Sequence, residues 1–166
     1  MNPLSRTRTH SWTDPAELAV LARTMSGLDF LRMLAGDETR IPMASTLPFR
    51  ITEVEEGRVV FVGEIGEHVY NPIGTVHGGF AATLMDGTAG SAIHTTLPAG
   101  IGYVSMDLSL HYLRPITMDN AGPISAIGTV LNRGRRTGLA AVELRDGDDR
   151  LLVQATSSCL LFDLEG

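Results

Sequence analysis

Apolar and polar positions change their period twice along the chain. Near the N-terminus, Leu18, Leu21, Ala22 and Met25, then Phe30, Leu31 and Leu34, recur at the spacing of amphipathic helices. Asp14-Pro15-Ala16-Glu17 supplies an N-cap, a proline at the first helical position and a glutamate that can reach back to the cap. Ser26-Gly27-Leu28-Asp29 breaks this helix and recaps a second one, with Gly36 as its stop. After Pro42 and Pro48 the period becomes two. Segments 49–55 and 58–65, split by Glu56-Gly57, predict a hairpin, and four more strands are predicted over 102–113, 122–132, 137–146 and 150–162. In 102–113, Val104, Met106, Leu108 and Leu110 alternate with Ser105, Asp107, Ser109 and His111, which predicts the first set inside. Asp146-Gly147-Asp148-Asp149 has the composition of a turn.

The stretch from His77 to about Thr95 is of another kind. Its core, GGFAATLMDGTAGSAIH, consists largely of small, uncharged residues. As a helix it has poor intrinsic propensity, since each of its four glycines costs about 1 kcal/mol relative to alanine. Tertiary packing must hold it, so it is predicted to be buried. The order of helices, two strands, one helix and four strands is α+β, not the alternation of a parallel sheet. It predicts an antiparallel sheet curled over that one helix, with residues 1–40 as a helical extension and 41–166 as the domain.

Composition narrows the function classes. The 166 residues fit one domain. All 13 cationic residues are arginine against 19 acidic ones, a net charge of −6. That balance excludes the broad cationic surface of a general nucleic-acid binder. Cys159 is the one cysteine; it cannot form an internal disulfide and is expected to be a small buried hydrophobe. The first ten residues lack an apolar stretch, and no apolar run approaches the roughly 20 residues that span a bilayer, so a cytoplasmic protein without membrane contact is expected. Trp12 and Phe30 are assigned to packing.

On the small-residue helix sits one carboxylate, Asp86, with Ala82, Thr83, Ala89 and Gly90 one turn away. Buried and unpaired it would be costly; either it faces solvent or bonds Thr83, or it is there for chemistry. At the helix start, His77-Gly78-Gly79 lets backbone come close to a partner, and its free N–H groups and positive dipole end suit an anion or a developing oxyanion. A glycine turn with a capping histidine would have the same sequence. Asp86 follows His77 by nine residues, roughly 13–14 Å along a helix. One reacting carbonyl cannot touch both within a chain. If both serve one site, they come from two subunits with antiparallel helices about a two-fold axis.

Asn71-Pro-Ile-Gly74-Thr-Val-His77-Gly78-Gly79, followed by Thr83-Leu-Met-Asp86, Tyr112-Leu-Arg-Pro115 and Gly134-Arg-Arg136, resembles the hotdog-fold acyl-CoA thioesterases of the phenylacetate-pathway (PaaI) type. The likeness spans about residues 26–162. It implies a long helix wrapped by a curved antiparallel sheet, paired into homodimers and into homotetramers as dimers of dimers. It also implies that the Gly78 N–H polarises the thioester carbonyl, that His77 shapes this corner, and that Asn71 places substrate or water; Gly79 is a candidate substrate-binding residue beside them. Asp86 of the other subunit corresponds to the nucleophile or general base, and Ser105 to a position that orients water. Thioester hydrolysis builds charge on the carbonyl oxygen and expels a good leaving group, so preorganised donors and a carboxylate suffice without metal or redox cofactor. The five histidines show no metal-ligand pairing.

Coenzyme A carries phosphates, which guanidinium groups bind in bidentate fashion. Arg133, Arg135 and Arg136 form the densest cationic cluster, and Arg114 is a further candidate. In isolation such a cluster is a solvated hairpin loop; beside a thioesterase-like motif it becomes a nucleotide clamp. Phe80 and Met85 are expected to wall the acyl pocket, which the N-terminal helices could cover. The expected function is hydrolysis of an acyl- or aryl-CoA to a carboxylic acid and free CoA. The alternatives are a non-catalytic acyl-CoA-binding hotdog protein and a hydratase, for which no matching histidine–acid pair is present.

Overall fold

The computed structural model describes residues 6–36, 41–119 and 122–164. Asp14 caps α1 (Pro15–Thr24), its carboxylate accepting from the Ala16 N–H at 2.9 Å. Ser26 caps α2 (Gly27–Leu34): its hydroxyl accepts from the Asp29 N–H at 3.2 Å and donates to the Asp29 carboxylate at 2.7 Å. Both caps fall where the sequence places them. Gly36 closes the following turn by donating to the Met33 carbonyl at 3.1 Å. A short α3 (Pro42–Thr46), where the sequence suggested only a boundary, uses Pro42 in its first turn. α1 buries no residue, and Trp12 ahead of it is 55% exposed rather than packed, because no described element covers that segment.

The strands are β1 (Phe49–Glu55), β2 (Arg58–Gly63), β3 (Ile101–Tyr112), β4 (Ile124–Arg133), β5 (Thr137–Arg145) and β6 (Leu151–Asp163). They form one sheet in the order β1-β2-β4-β5-β6-β3, with every neighbouring pair antiparallel. A 3-10 turn (Glu67–Val69) and the loop to Val76 lead into α4 (Gly78–His94), which packs against β2 to β6. The predicted α+β architecture, a sheet curled over one central helix, is the observed one.

Packing explains how a glycine-rich helix survives here. Leu84, Met85 and Ile93 of α4 are fully buried against the sheet, and burial of each contributes about 1.5–3 kcal/mol. Together these exceed the cost of the four glycines. The sheet makes room in turn: a Cβ at Gly128 would lie 2.8 Å from Thr88 Cγ2, and one at Gly138 would lie 2.8 Å from Ile93 Cγ2. The helix therefore sits closer to β4 and β5 than side chains there would permit. Cys159 is buried on β6, and burial pushes its thiol pKa up, as suits a packing residue.

The predicted turn after β5 is built on Asp146. Its Oδ1 accepts from the N–H groups of Asp148 and Arg150, and its Oδ2 pairs with Arg150 Nε at 2.8 Å. Asp149 takes a left-handed φ of 63° within it.

Candidate active site

Asp86 lies half-buried at the middle of α4, where the Ser105 hydroxyl donates to its Oδ1 at 2.9 Å. A β-bulge between Ser105 and Asp107 makes this contact possible. It also corrects the simple alternation expected of β3. Tyr103 and Ser105 face α4, the bulge at Met106 shifts the pattern by one, and Leu108 and Leu110 then turn towards the core. Val104 and Met106 are therefore 50% and 52% exposed on an edge strand, instead of buried.

The N-terminus of α4 is built by His77 and Asn71. His77 is exposed and acts as the N-cap: its Nδ1 accepts from the Gly79 N–H at 2.9 Å, which puts the ring proton on Nε2. Asn71 closes the preceding loop, donating to Thr75 Oγ1 at 2.8 Å and accepting from the N–H groups of Ile73 and Thr75. The Phe80 N–H is held by the His77 carbonyl at 2.9 Å. With Gly79 and Phe80 occupied, the Gly78 N–H is the first-turn donor left without a partner among the described residues. Tyr112, at the far end of β3, donates its hydroxyl to the Gly78 carbonyl at 2.8 Å and fixes that donor's peptide neighbour. Tyr112 stood in the sequence motif without a role, because only the fold brings it to residue 78.

Gly78 and Asp86 are eight residues apart on one straight helix, about 12 Å. Within a protomer they do not meet. Nor do the arginines gather. Arg133, Arg135 and Arg136 are exposed around the β4–β5 hairpin, at the α4 C-terminal end, and their side chains have no carboxylate partner among the described residues. Arg114 sits at the opposite end, sharing a cleft of about 330 Å³ with Gly78 and Tyr112 and donating to the Leu151 carbonyl at 2.5 Å. Within a protomer Arg114 stands apart from the hairpin arginines, because β3 runs the length of α4 between them.

Beside Asp86 opens a cavity of about 290 Å³, walled by Phe30 and Leu31 of α2, by Phe49, Ile51 and Phe61 of the sheet, and by Thr83 and Gly87 of α4. Phe80 and Met85, expected to wall the acyl pocket, are 4% and 0% exposed and do not line this cavity. Phe80 reaches towards β2, where a Cβ at Gly63 would lie 3.2 Å from its Cζ. The N-terminal helix α2 supplies the wall instead, seated by a close approach: Gly27 N–H donates to the Leu97 carbonyl at 3.0 Å, and a Cβ at Gly27 would lie 1.8 Å from the His94 carbonyl oxygen. Among the described residues no three metal-ligating side chains cluster.

Residues 73–153, which hold the α4 N-terminus, Asp86 and most of the sheet, match the family model described as the thioesterase superfamily. That match covers just under half of the chain. The chain is 33% identical over 88 residues to acyl-coenzyme A thioesterase 13 of Homo sapiens, covering 53% of this chain and 61% of that relative's length. Its fold is similar to that of a thioesterase from Haemophilus influenzae, at a TM-score of 0.72 and 21% identity, covering 88% of this chain and 97% of that one. It is also similar to the PaaI protein of the E. coli phenylacetic acid degradation operon, at a TM-score of 0.67 and 21% identity, covering 74% of this chain and 85% of that one.

Proposed function

We propose that this protein is an acyl-CoA thioesterase whose active site forms between two copies of the chain, with Asp86 from one and the Gly78 N–H from the other. The observation that carries this reading is the contrast at the two points of α4. The carboxylate is oriented by a single bond from Ser105, and the free donor lies about 12 Å away on the same helix.

Edge strand β3 provides a way to bring them together. Ser105 marks the level of Asp86 on β3, and Tyr112 marks the level of Gly78. Antiparallel pairing of two β3 strands about a two-fold axis near Leu108 and Ser109 sets Ser105 of one copy opposite Tyr112 of the other. The partner subunit's Gly78 then approaches Asp86. The exposed Val104 and Met106 and the unpaired outer edge of β3 suit such an isologous contact. Pairs of these dimers give the tetramer that the family resemblance implies.

In the assembled site the Gly78 N–H, at a helix N-terminus, stabilises the oxyanion that forms on the thioester carbonyl. Asp86, with Oδ1 held by Ser105, takes the proton of the attacking water through Oδ2. The tetrahedral intermediate collapses to the carboxylic acid, and CoA leaves as the thiolate. The arginines of the β4–β5 hairpin and Arg114 meet the CoA phosphates, while His77, Gly79 and Asn71 keep the oxyanion corner in shape. Free-thiol release from a panel of acyl- and aryl-CoAs tests the reading. Turnover that disappears in Asp86→Asn supports it; tight binding of CoA esters without turnover overturns it in favour of a binding protein.

A further inference from the structure

Past the bulge at Met106, Leu108 and Leu110 of β3 turn towards the core. Asp107, Ser109 and His111 therefore stand on the opposite face, where all three are exposed. Their neighbours on β6, namely Ser158, Thr156 and Gln154, carry no charge. An acid and a base thus flank Ser109 on one face of an open sheet edge. The Asp107 carboxylate is fixed, accepting from the Ser158 N–H at 3.3 Å and from the Ser158 hydroxyl. His111 has no hydrogen-bond or ion-pair partner among the described residues.

Few registers can pair this strand with its own copy. Directly opposite residues of an antiparallel ladder share a face, and a two-fold axis midway between two residues would set the core-facing row against the exposed one. The axis must therefore pass through a residue. Through Ser109, Leu108 faces the partner's Leu110 on one side of the sheet, and Asp107 faces the partner's His111 on the other. Symmetry makes each contact twice. An axis through Leu108 sets Asp107 against the partner's Ser109 and His111 against the partner's Val104. One through Leu110 sets Asp107 against the partner's Leu113 and His111 against the partner's Ser109. Of these registers, the one centred on Ser109 joins acid to base, and opposite charges directly across a ladder stabilise it.

The same register serves the site. Each one-residue move of the axis slides the partner by two residues, about 7 Å. With the axis at Ser109, the bulge brings Ser105, beside Asp86, level with the partner's Tyr112, beside the partner's Gly78. The neighbouring registers pull them apart by that distance.

We propose that Asp107 and the partner's His111 form a symmetric pair of contacts that lock two β3 strands in the Ser109-centred register and so assemble the active site. The imidazole N–H donates to the carboxylate that Ser158 holds in place. This inference rests on the two-copy site above and adds the residues that select its register.

Cysteine cross-linking reads the register on the full-length chain. Opposite residues in an antiparallel ladder have Cα atoms about 4.5–5.5 Å apart, within reach of a disulfide. Ser109→Cys is expected to form a covalent dimer under mild oxidation at least ten-fold faster than Leu108→Cys or Leu110→Cys, whose symmetry mates stand about 8 Å apart. The native Cys159 is fully buried and does not compete. Faster cross-linking through residue 108 or 110, or none through 109, overturns the register. Sedimentation velocity tests the lock. His111→Asp is expected to weaken dimerisation at least ten-fold, and His111→Arg to hold or tighten it. In an Asp107→Asn background, which keeps an acceptor for Ser158 but not the charge, the loss caused by His111→Asp is expected to disappear. A monomeric wild type, equal Kd values for wild type, His111→Asp and His111→Arg, or a loss that persists with Asp107→Asn overturns the proposal. Thiol release by the cross-linked dimer is read separately: its absence from every acyl-CoA overturns the thioesterase reading, while the cross-linking and association data still decide the lock.

Discussion

The Ser105 hydroxyl donates to Asp86 Oδ1 across 2.9 Å, and it can do so because β3 bulges immediately after Ser105. The bond ties an edge strand to the middle of the central helix. It also fixes which carboxylate oxygen is occupied and which is free to react.

That division separates a reacting group from a positioning one. Asp86→Asn removes the base and is expected to lower kcat by about 10³ or more, near the range known for general-base removal. Ser105→Ala leaves the carboxylate in place but unoriented, so a loss of about ten-fold in kcat with KM unchanged is expected. The lost hydrogen bond should cost only about 1 kcal/mol of stability. Thiol-release kinetics and urea unfolding on the same samples check both; equal kcat losses for the two variants would remove the distinction.

Gly78 permits a test of the backbone donor itself. Proline is tolerated in the first turn of a helix, where its missing N–H takes no helical bond. Gly78→Pro therefore removes the proposed oxyanion donor and keeps the helix start. A Cβ there comes within 3.1 Å of the Tyr112 hydroxyl, so Gly78→Ala is the matched control, with the same crowding but the N–H retained. A kcat loss of about 10²–10³ is expected for proline, and less than ten-fold for alanine. Similar losses in both would assign the effect to Tyr112 crowding.

If Asp86 and Gly78 act from different subunits, two dead proteins should rescue one another. A mixed dimer of Asp86→Asn and Gly78→Pro holds one doubly damaged site and one intact site. Random exchange makes half of the dimers mixed, so about one quarter of wild-type activity is expected after unfolding and refolding the mixture together. No recovery, with dimers present by light scattering, would mean that the two residues do not share a site.

Much of this layout was legible in the sequence, and the gaps have physical causes. The caps at Asp14 and Ser26 and the small-residue helix that carries Gly78 and Asp86 depend on local composition and spacing, which a sequence displays. The inward face of β3 did not follow, because a bulge shifts a period-two pattern by one and leaves no mark in the alternation of Val104 to His111. Gly27 looked like a helix break; its close contact with the His94 carbonyl joins residues far apart in the chain. For the same reason Phe30 reads as a packing residue in the sequence although it walls the cavity.

The arginine hairpin has its own signature in kinetics. Arg133, Arg135 and Arg136 are exposed and free of carboxylate partners among the described residues, so their removal should leave stability within about 0.5 kcal/mol. Arg135→Ala with Arg136→Ala is expected to raise KM for CoA esters about ten-fold with kcat nearly unchanged, and the effect should shrink at high salt. Esters of the truncated thiol pantetheine, which lack the nucleotide phosphates, should show no such change. A KM unaffected by the double substitution would return the loop to a solubilising role.

His94 gives the fold a defined acid sensitivity. Burial lowers its pKa from 6.5 in the unfolded chain to about 4 in the folded one. Above pH 6.5 the imidazole is neutral in both states and contributes no pH dependence. Between pH 6.5 and 4 the unfolded chain binds the proton and the folded chain does not, so stability falls as the solution is acidified. The full loss across that window is roughly 3 kcal/mol, and it levels off below pH 4, where both states are protonated. Titrating carboxylates, Asp146 among them, add their own acid lability, so the effect of His94 is isolated by difference. Urea unfolding of wild type and His94→Gln at pH 7.5, 6.0, 5.0 and 4.5 should give curves that converge as pH falls, with the variant losing less. Parallel curves would mean that the imidazole is charged or solvated in the folded protein.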